Sequence, residues 1–262
     1  MTHAPPDVER LSSPRATEPF PDAWYDQSSA EHFWFTWRLR ALLRLLRDVQ
    51  APTSAPLRAL DVGSGPGILA SQVEAATRWS VDAADLNLGA LERCVPRRGR
   101  TLYYDVTEER PELRGHYDAV FVFDVIEHLP EPLPLLRSAM AHLKPGGLFL
   151  VNVPALQACF SQYDVEVGHL RRYTTASLAE ALAPLGLAPV ALRYWGLSLL
   201  PALVARRATM PVGRPQERIV ERGLVPPSKL VDGALRVLMH VETRLSARPV
   251  LGTSVLYAGR VP

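Results

Sequence analysis

Short apolar runs alternate along this chain with longer stretches in which apolar positions recur every three or four residues. The runs at 57–62, 81–86, 101–104, 118–123 and 148–153 have the length and composition of strands covered on both faces. Residues 189–195 and 253–260 read as sixth and seventh strands. Helical spacing fills the gaps at 68–77, 87–95 and 133–144, the last stopped by Pro145-Gly146-Gly147. A further helix, capped by Thr174 or Thr175, runs to about 185. Strands and helices in this order predict an α/β fold built on a parallel, doubly wound sheet.

Two segments interrupt the alternation. Residues 1–21, rich in proline and charge, read as a disordered tail, and 22–262 as one domain. Over 22–50, Trp24, Tyr25, His32, Phe33, Trp34, Phe35 and Trp37 crowd a helical lid, with Ser29 as its candidate cap. Arg40, Arg44 and Arg47 share one helical face, as a solvated stripe would. Arg38 lies about 160° from that stripe, among Trp34, Leu42 and Leu45. It needs a partner there, either a ligand carboxylate or a structural acid. The second segment, 197–251, holds an apolar stretch, Arg206, Arg207 and Arg214, and a helix from about 228. Leu230, Ala234, Val237, Val241 and Leu245 line one face of that helix. This insertion is a cover packed on the domain, or else a substrate cap, dimer surface or membrane-surface patch.

The chain has 262 residues and a formal charge of +2, with an isoelectric point near 8.6. No basic block appears, so nucleic acid is not the expected partner. Cys94 and Cys159 lack metal spacing and read as free thiols. Neither a signal peptide nor a membrane-length apolar run is visible. The expectation is a soluble cytoplasmic protein, monomer or homodimer, with peripheral membrane contact left open.

Candidate chemistry begins where the first strand ends, in Asp61-Val-Gly-Ser-Gly-Pro-Gly67. Glycines let the backbone turn tightly and approach a ligand, and the helix that follows presents free N–H groups. The G-x-G-x-G spacing differs from the dinucleotide fingerprint G-x-G-x-x-G. An acid two residues before the first glycine suits a cationic ligand better than a pyrophosphate. S-adenosylmethionine, with its ammonium and sulfonium, fits better than NAD; a loop that merely turns the chain is the remaining alternative. Asp85, at the tip of the second strand, is placed to accept two ribose hydroxyls. Asp105 either meets an adenine amino group or caps a turn.

Taken together, Leu60-Asp-Val-Gly-Ser-Gly-Pro-Gly67, Asp85, Asp105, Phe123-Asp-Val-Ile-Glu-His-Leu129 and Leu143-Lys-Pro-Gly-Gly-Leu-Phe-Leu150 resemble the class I S-adenosylmethionine-dependent methyltransferases. His32-Phe-Trp-Phe35 and His169-Leu-Arg-Arg-Tyr-Thr174 look like a bacterial small-molecule subset. The resemblance implies seven strands, the last antiparallel and inserted between the fifth and sixth. It places Gly63, Ser64, Gly65 and Gly67 behind the methionine part of the cofactor, with Asp61 near its amino group. Asp85 and Leu86 would hold the ribose side, Asp105 and Val106 the adenine, and Phe123 and Asp124 would flank the ligand. Trp34 and Arg38 would close over it, and S-adenosylhomocysteine would be the product.

Methyl transfer from a sulfonium is an in-line displacement, served by alignment and exclusion of water. His128 is the preferred base for an acceptor proton, or a support for its loop, with Glu127 orienting it or binding the acceptor. Tyr25, Tyr163, His169, Arg172 and Tyr173 are candidate acceptor contacts, His169 also a candidate catalytic group. The cluster His169, Arg171, Arg172 and Tyr173 suits an acidic or hydroxylated acceptor, with one of the two arginines serving in a structural ion pair. Asp164 and Glu166 are candidate gates on the same loop. Asp124, Glu127, His128 and His169 also have the residue types of a metal site, although no metal is the expectation. The function expected is methyl transfer to a small molecule such as a natural-product, sugar or lipid-linked intermediate. The rivals are a non-methylating reaction on the same cofactor, or its structural use.

Overall fold

The computed structural model describes residues 6–14, 30–95, 97–213, 228–245 and 249–262. Their strands are β1 (Val8–Arg10), β2 (Arg58–Val62), β3 (Ser80–Asp85), β4 (Thr101–Tyr103), β5 (Tyr117–Phe123), β6 (Leu143–Pro154), β7 (Ala188–Trp195) and β8 (Ser254–Arg260). They form a single sheet in the order β1-β4-β3-β2-β5-β6-β8-β7. Neighbours from β1 to β6 pair in parallel, whereas β8 is antiparallel to both β6 and β7. The reversed strand sits between the expected fifth and sixth, as the resemblance implies.

The helices are α1 (Phe33–Asp48), α2 (Ile68–Ala76), α3 (Leu88–Leu91), α4 (Leu133–Ala141), α5 (Gln162–Glu166), α6 (Thr175–Leu182), α7 (Leu200–Thr209) and α8 (Lys229–Leu245). Alternate strand positions feed two cores. Leu60, Val62, Val120 and Val122 join α4 and α6 on one face. Ala59, Val81, Ala119 and Phe121 meet α1 and α2 on the other, where Trp37, Leu42 and Trp79 are fully buried.

Six expectations need correction. The sheet has an eighth strand, because Val8–Arg10 pairs with Thr101–Tyr103, while Ser12 Oγ accepts from Asp105 N–H at 2.9 Å. That part of the 1–21 segment is therefore an edge strand. The helix expected at 87–95 is a single turn, Leu88–Leu91, capped by Asn87. Pro145-Gly146-Gly147 lies inside β6, not beyond a helix ending at 144, since Gly146 takes φ 74° and the strand continues. The Arg40 and Arg44 stripe is covered: Arg40 Nη1 stands 2.7 Å from His240 Nδ1, and Arg44 Nη1 donates to the Thr243 carbonyl, so α8 packs on α1. Conversely, Leu230, Val237, Val241 and Leu245 are exposed, because α8 turns Leu235, Met239 and Glu242 inward. The α1 cap is His32, whose Nδ1 accepts from Trp34 N–H; Ser29 lies outside the described residues. Both cysteines are free and buried. No described helix is long and apolar enough to cross a membrane.

Candidate active site

The strand order reverses between β2 and β5, and the crevice beyond their carboxyl ends is where an open α/β sheet binds ligands. Gly63, Gly65 and Gly67, following β2, take φ of 69°, 53° and 67°. A Cβ on Gly63 would stand 2.6 Å from Val125 Cγ2, so the loop backbone passes where no side chain fits. Asp61 is only 2% exposed, and its Oδ2 has no hydrogen-bond partner among the described residues. Burial pushes its carboxyl up to about 7 against the opposing pull of Arg38 and Arg97. An unsatisfied buried acid on a cavity wall is a receptor for a cation. Asp85 accepts from the N–H groups of Gly65 and Asn87, each at 2.7 Å. Each of its oxygens keeps a second acceptor direction, as two ribose hydroxyls would require.

A cavity of about 1450 Å³ joins this loop to the rest of the site. Its walls include Trp34, Arg38, Asp61, Gly63, Ser64, Gly65, Asp85, Leu86, Phe123 and Asp124 from the cofactor set expected from sequence. Glu127, His128, Tyr163, His169 and Arg172 follow from the segments after β5 and β6. The insertion adds Leu199, Leu203, Arg206, Val231 and Leu235. Gly67, Asp105, Val106 and Tyr173 are not on this wall. Gly67 is the left-handed cap of α2. Asp105 takes its turn-capping alternative, accepting from Thr107 N–H and Oγ1, and Val106 is core. Tyr173 is buried, with its hydroxyl on the Ile126 carbonyl. Tyr25 lies outside the described residues.

Arg38 finds a structural acid. Its Nη1 donates to Asp124 Oδ2 at 2.6 Å, and the guanidinium carbon lies 5.1 Å from the Trp34 and Phe35 ring centroids. Asp124 holds φ 58°, strained for a non-glycine residue. Its other oxygen accepts from Asn152 Nδ2 at 2.7 Å, while Trp195 Nε1 donates to Asn152 Oδ1 at 2.8 Å. The lid is thereby tied to the sheet through β5 and β6.

Beyond β5, Glu127, His128 and His169 bring ligand atoms within 4.8 Å of one another. Glu127 is fully buried, and neither side-chain oxygen has a hydrogen-bond partner among the described residues. Burial and then the Asp124 charge raise its carboxyl well above the usual range. His128 Nδ1 lies 3.1 Å from the Gly168 carbonyl; a carbonyl only accepts, so Nδ1 carries the proton. Burial, with His169 beside it, lowers His128 to about 4. His169 stands on a different support, its Nδ1 2.9 Å from Asp164 Oδ1 and its Nε2 3.9 Å from Glu127.

A family model described as a methyltransferase domain matches residues 27–192, well over half of the chain. This chain belongs to the class I S-adenosylmethionine-dependent methyltransferases. The cofactor of that family is S-adenosylmethionine. A ubiquinone biosynthesis O-methyltransferase of Xanthomonas campestris is 35% identical over 125 residues, covering 44% of this chain and 51% of that protein. The chain spans about half the length of the first such curated relatives. Among solved structures, phosphoethanolamine N-methyltransferase 2 of Haemonchus contortus with S-adenosyl-L-methionine superposes with a TM-score of 0.54 at 20% identity, covering 85% of this chain and 52% of that one. The [4+2]-cyclase SpnF gives 0.56 at 16% identity over 90% of this chain and 85% of its own. These structures share the fold.

The residues of this chain fit the family's cofactor. The unpartnered Asp61 oxygen suits an ammonium, the glycine loop leaves room for backbone approach, and Asp85 retains acceptor capacity. A divalent cation also fits the donor set of Glu127, His128 and His169. Asp124, which the sequence groups with them, is committed to Arg38 and Asn152.

Two roles were missed from the sequence. Asn152, which bridges Trp195 to Asp124, is the one polar residue in the apolar run Leu148–Val153, a signal that was available. Asp164 is a buried hub, not a gate: besides His169 it takes the N–H and Oγ of Ser161, and Nε and Nη2 of Arg172 at 2.8 and 2.6 Å. Burial alone would push the Asp164 carboxyl up, but the His169 hydrogen bond and the Arg172 charge outweigh it and hold the carboxyl well below the usual range. Arg172 is therefore the arginine in the structural ion pair, although it borders the cavity.

Proposed function

We propose that this chain transfers the methyl group of S-adenosylmethionine to a small-molecule acceptor, with His169 as the general base. The observation that carries the reading is a single cavity walled both by the Asp61 loop and by His169, whose Nδ1 is held from behind by the buried Asp164. When bound, S-adenosylmethionine supplies an electrophilic sulfonium methyl and leaves as S-adenosylhomocysteine. Asp61 anchors the ammonium end, Asp85 the ribose, and the Trp34–Arg38 lid excludes water. Because His169 donates its Nδ1 proton to Asp164, Nε2 keeps the lone pair that takes the acceptor's proton as the new bond to carbon forms. The Asp164 carboxylate then stabilises the imidazolium. His128, lowered to about 4 by burial, serves better as a neutral wall that positions the acceptor. The preferred base thus moves from His128 to His169. Relatives named for ubiquinone biosynthesis support a small-molecule acceptor.

Methyl-labelled cofactor incubated with pools of phenols, amines and amphiphilic alcohols tests this. Label is expected in product, and His169→Gln is expected to slow transfer by about 10²-fold or more with S-adenosylhomocysteine binding retained. Turnover that leaves the label on the cofactor would favour a rearrangement instead. Binding without turnover across the pools would favour structural use.

The unpartnered Glu127 oxygens favour a second reading, in which Glu127, His128 and His169 hold a divalent cation that binds the acceptor. Metal analysis of the purified chain, and loss of acceptor binding after chelation with recovery on adding Mg or Zn, would select it.

A further inference from the structure

The sequence offers one of Arg171 and Arg172 to the acceptor and the other to a structural ion pair, and the folded chain uses both elsewhere. Arg171 Nη2 donates to the Pro130 carbonyl at 2.8 Å, and Arg172 is neutralised by Asp164. A third arginine, carried in by the insertion, borders the same cavity. Arg206 projects from α7, and its guanidinium carbon lies 4.3 Å from the Tyr163 ring centroid. Its Nε is buried without a hydrogen-bond partner among the described residues. Among the described residues, the acid whose charge reaches it, Asp164, is already engaged with Arg172 and His169. Burial, and then the positive charge of Arg172, pull the Arg206 guanidinium below its ordinary range.

A cation held on an aromatic face without a counter-charge is costly for the fold alone. It becomes favourable when a ligand brings the anion, and a guanidinium fork matches carboxylate and phosphate oxygens two at a time. We propose that Arg206, seated on Tyr163, is the anchor for a carboxylate or phosphate group on the methyl acceptor, and so determines which acceptors this enzyme takes. Around it the insertion supplies Leu199, Ala202, Leu203, Val231 and Leu235, so the anion belongs to a molecule with an apolar body. Tyr163 and Asp164 are neighbours on α5, and Asp164 holds His169. Arg206 and His169 border the same cavity, so a molecule whose anion is fixed on Arg206 lies in the space that the base also faces. This inference rests on the methyl-transfer reading for the word acceptor, but the anion site itself does not require it.

The test uses the full chain and three probes with the same tail: octyl phosphate, octanoate and neutral octyl glucoside, each below its micelle concentration. Calorimetric titration with S-adenosylhomocysteine present should show an anionic probe binding about tenfold or more tighter than the glucoside. Arg206→Met should erase that preference while binding the glucoside as before, and Arg206→Lys should restore part of it. Comparing octyl phosphate with octanoate tells which anion the site takes. Equal affinity of all three probes for the wild-type chain would overturn the proposal, as would an anionic preference that survives Arg206→Met. S-adenosylhomocysteine affinity, measured on the same samples, reports separately on the cofactor site. Its absence would sink the methyl-transfer reading while leaving an Arg206-dependent anion site standing.

Discussion

Asp61 costs the empty chain stability, and that cost is the basis for a measurement. Its carboxyl titrates at about 7 when folded, against an ordinary 3.8, because it is buried. The folded state therefore holds the proton more tightly, and the Asp61 contribution becomes less favourable as pH rises from about 4 to about 7. Binding an ammonium reverses the preference, since the ligand selects the carboxylate. S-adenosylhomocysteine affinity is expected to rise about tenfold between pH 6 and pH 8, as the ionised fraction grows through a pKa near 7. Asp61→Asn should flatten that profile and weaken binding, yet raise the melting temperature of the ligand-free chain at pH 8. A flat wild-type profile would remove Asp61 from the ammonium site. Gly63 offers a second single-residue test. Alanine there must hold φ near 69° and place its Cβ 2.6 Å from Val125, whereas Gly146, at φ 74°, has nothing within 4 Å of its Cβ position. Both changes carry the left-handed penalty of about 1–2 kcal/mol. Only Gly63→Ala should also abolish cofactor binding in calorimetry.

The loop and helix that follow β6 are organised by a charge the sequence shows but does not locate. Arg172 and Asp164 are 3% and 0% exposed at their side chains, so removing one partner leaves the other buried and uncompensated. Asp164→Ala is expected to destabilise the chain by about 3–5 kcal/mol, read by chemical denaturation. Arg171→Ala, on an exposed contact, should cost far less. What was legible and what was not divides along the same line. The inner strands, β2, β5 and β6 above all, could be read because two apolar layers cover the sheet, and that requirement writes continuous apolar runs into the chain. The Asp61–Gly67 loop could be read because its backbone needs glycine. Val8–Arg10 could not, since an edge strand held by backbone hydrogen bonds to β4 needs no apolar pattern. Arg40 and Arg44 looked like a solvated stripe because the helix that covers them lies about 200 residues away in sequence. For Asp105 and the Arg171–Arg172 pair the sequence leaves a ligand and a structural partner both open, because the partners, Thr107 and Asp164, are fixed only by how the loops fold.

At the scale of the whole molecule, a buried carboxylate ties the insertion's helix α8 to the turn that follows β7. Glu242 on α8 is buried and accepts from three consecutive backbone N–H groups, those of Gly196 and Leu197 through Oε1 and that of Ser198 through Oε2, at 2.8, 3.0 and 2.7 Å. These groups lie at the turn that leads from β7 into α7, so the same side chain fixes the direction of α7 and the docking of α8. Arg206 and Leu203 on α7, and Leu235 on α8, then reach the cavity from a common base. The proposed contacts to the methionine and ribose parts, Asp61 to Gly65 and Asp85, instead follow from β2 and β3, which Glu242 does not touch. Weakening this carboxylate should therefore separate the two halves of the site. In Glu242→Gln the charge that three donors share is gone, a loss of about 1.5–3 kcal/mol where hydrogen bonds to a charged group are involved. Hydrogen exchange at 196–199 should accelerate by about tenfold or more, while the amides of β2 and β5 keep their protection. S-adenosylhomocysteine should bind as in the wild type, and octyl phosphate should bind more weakly because Arg206 is no longer held in place. If the exchange rates at 196–199 do not change, the insertion is fixed by its apolar contacts with α1, and Glu242 is not its anchor.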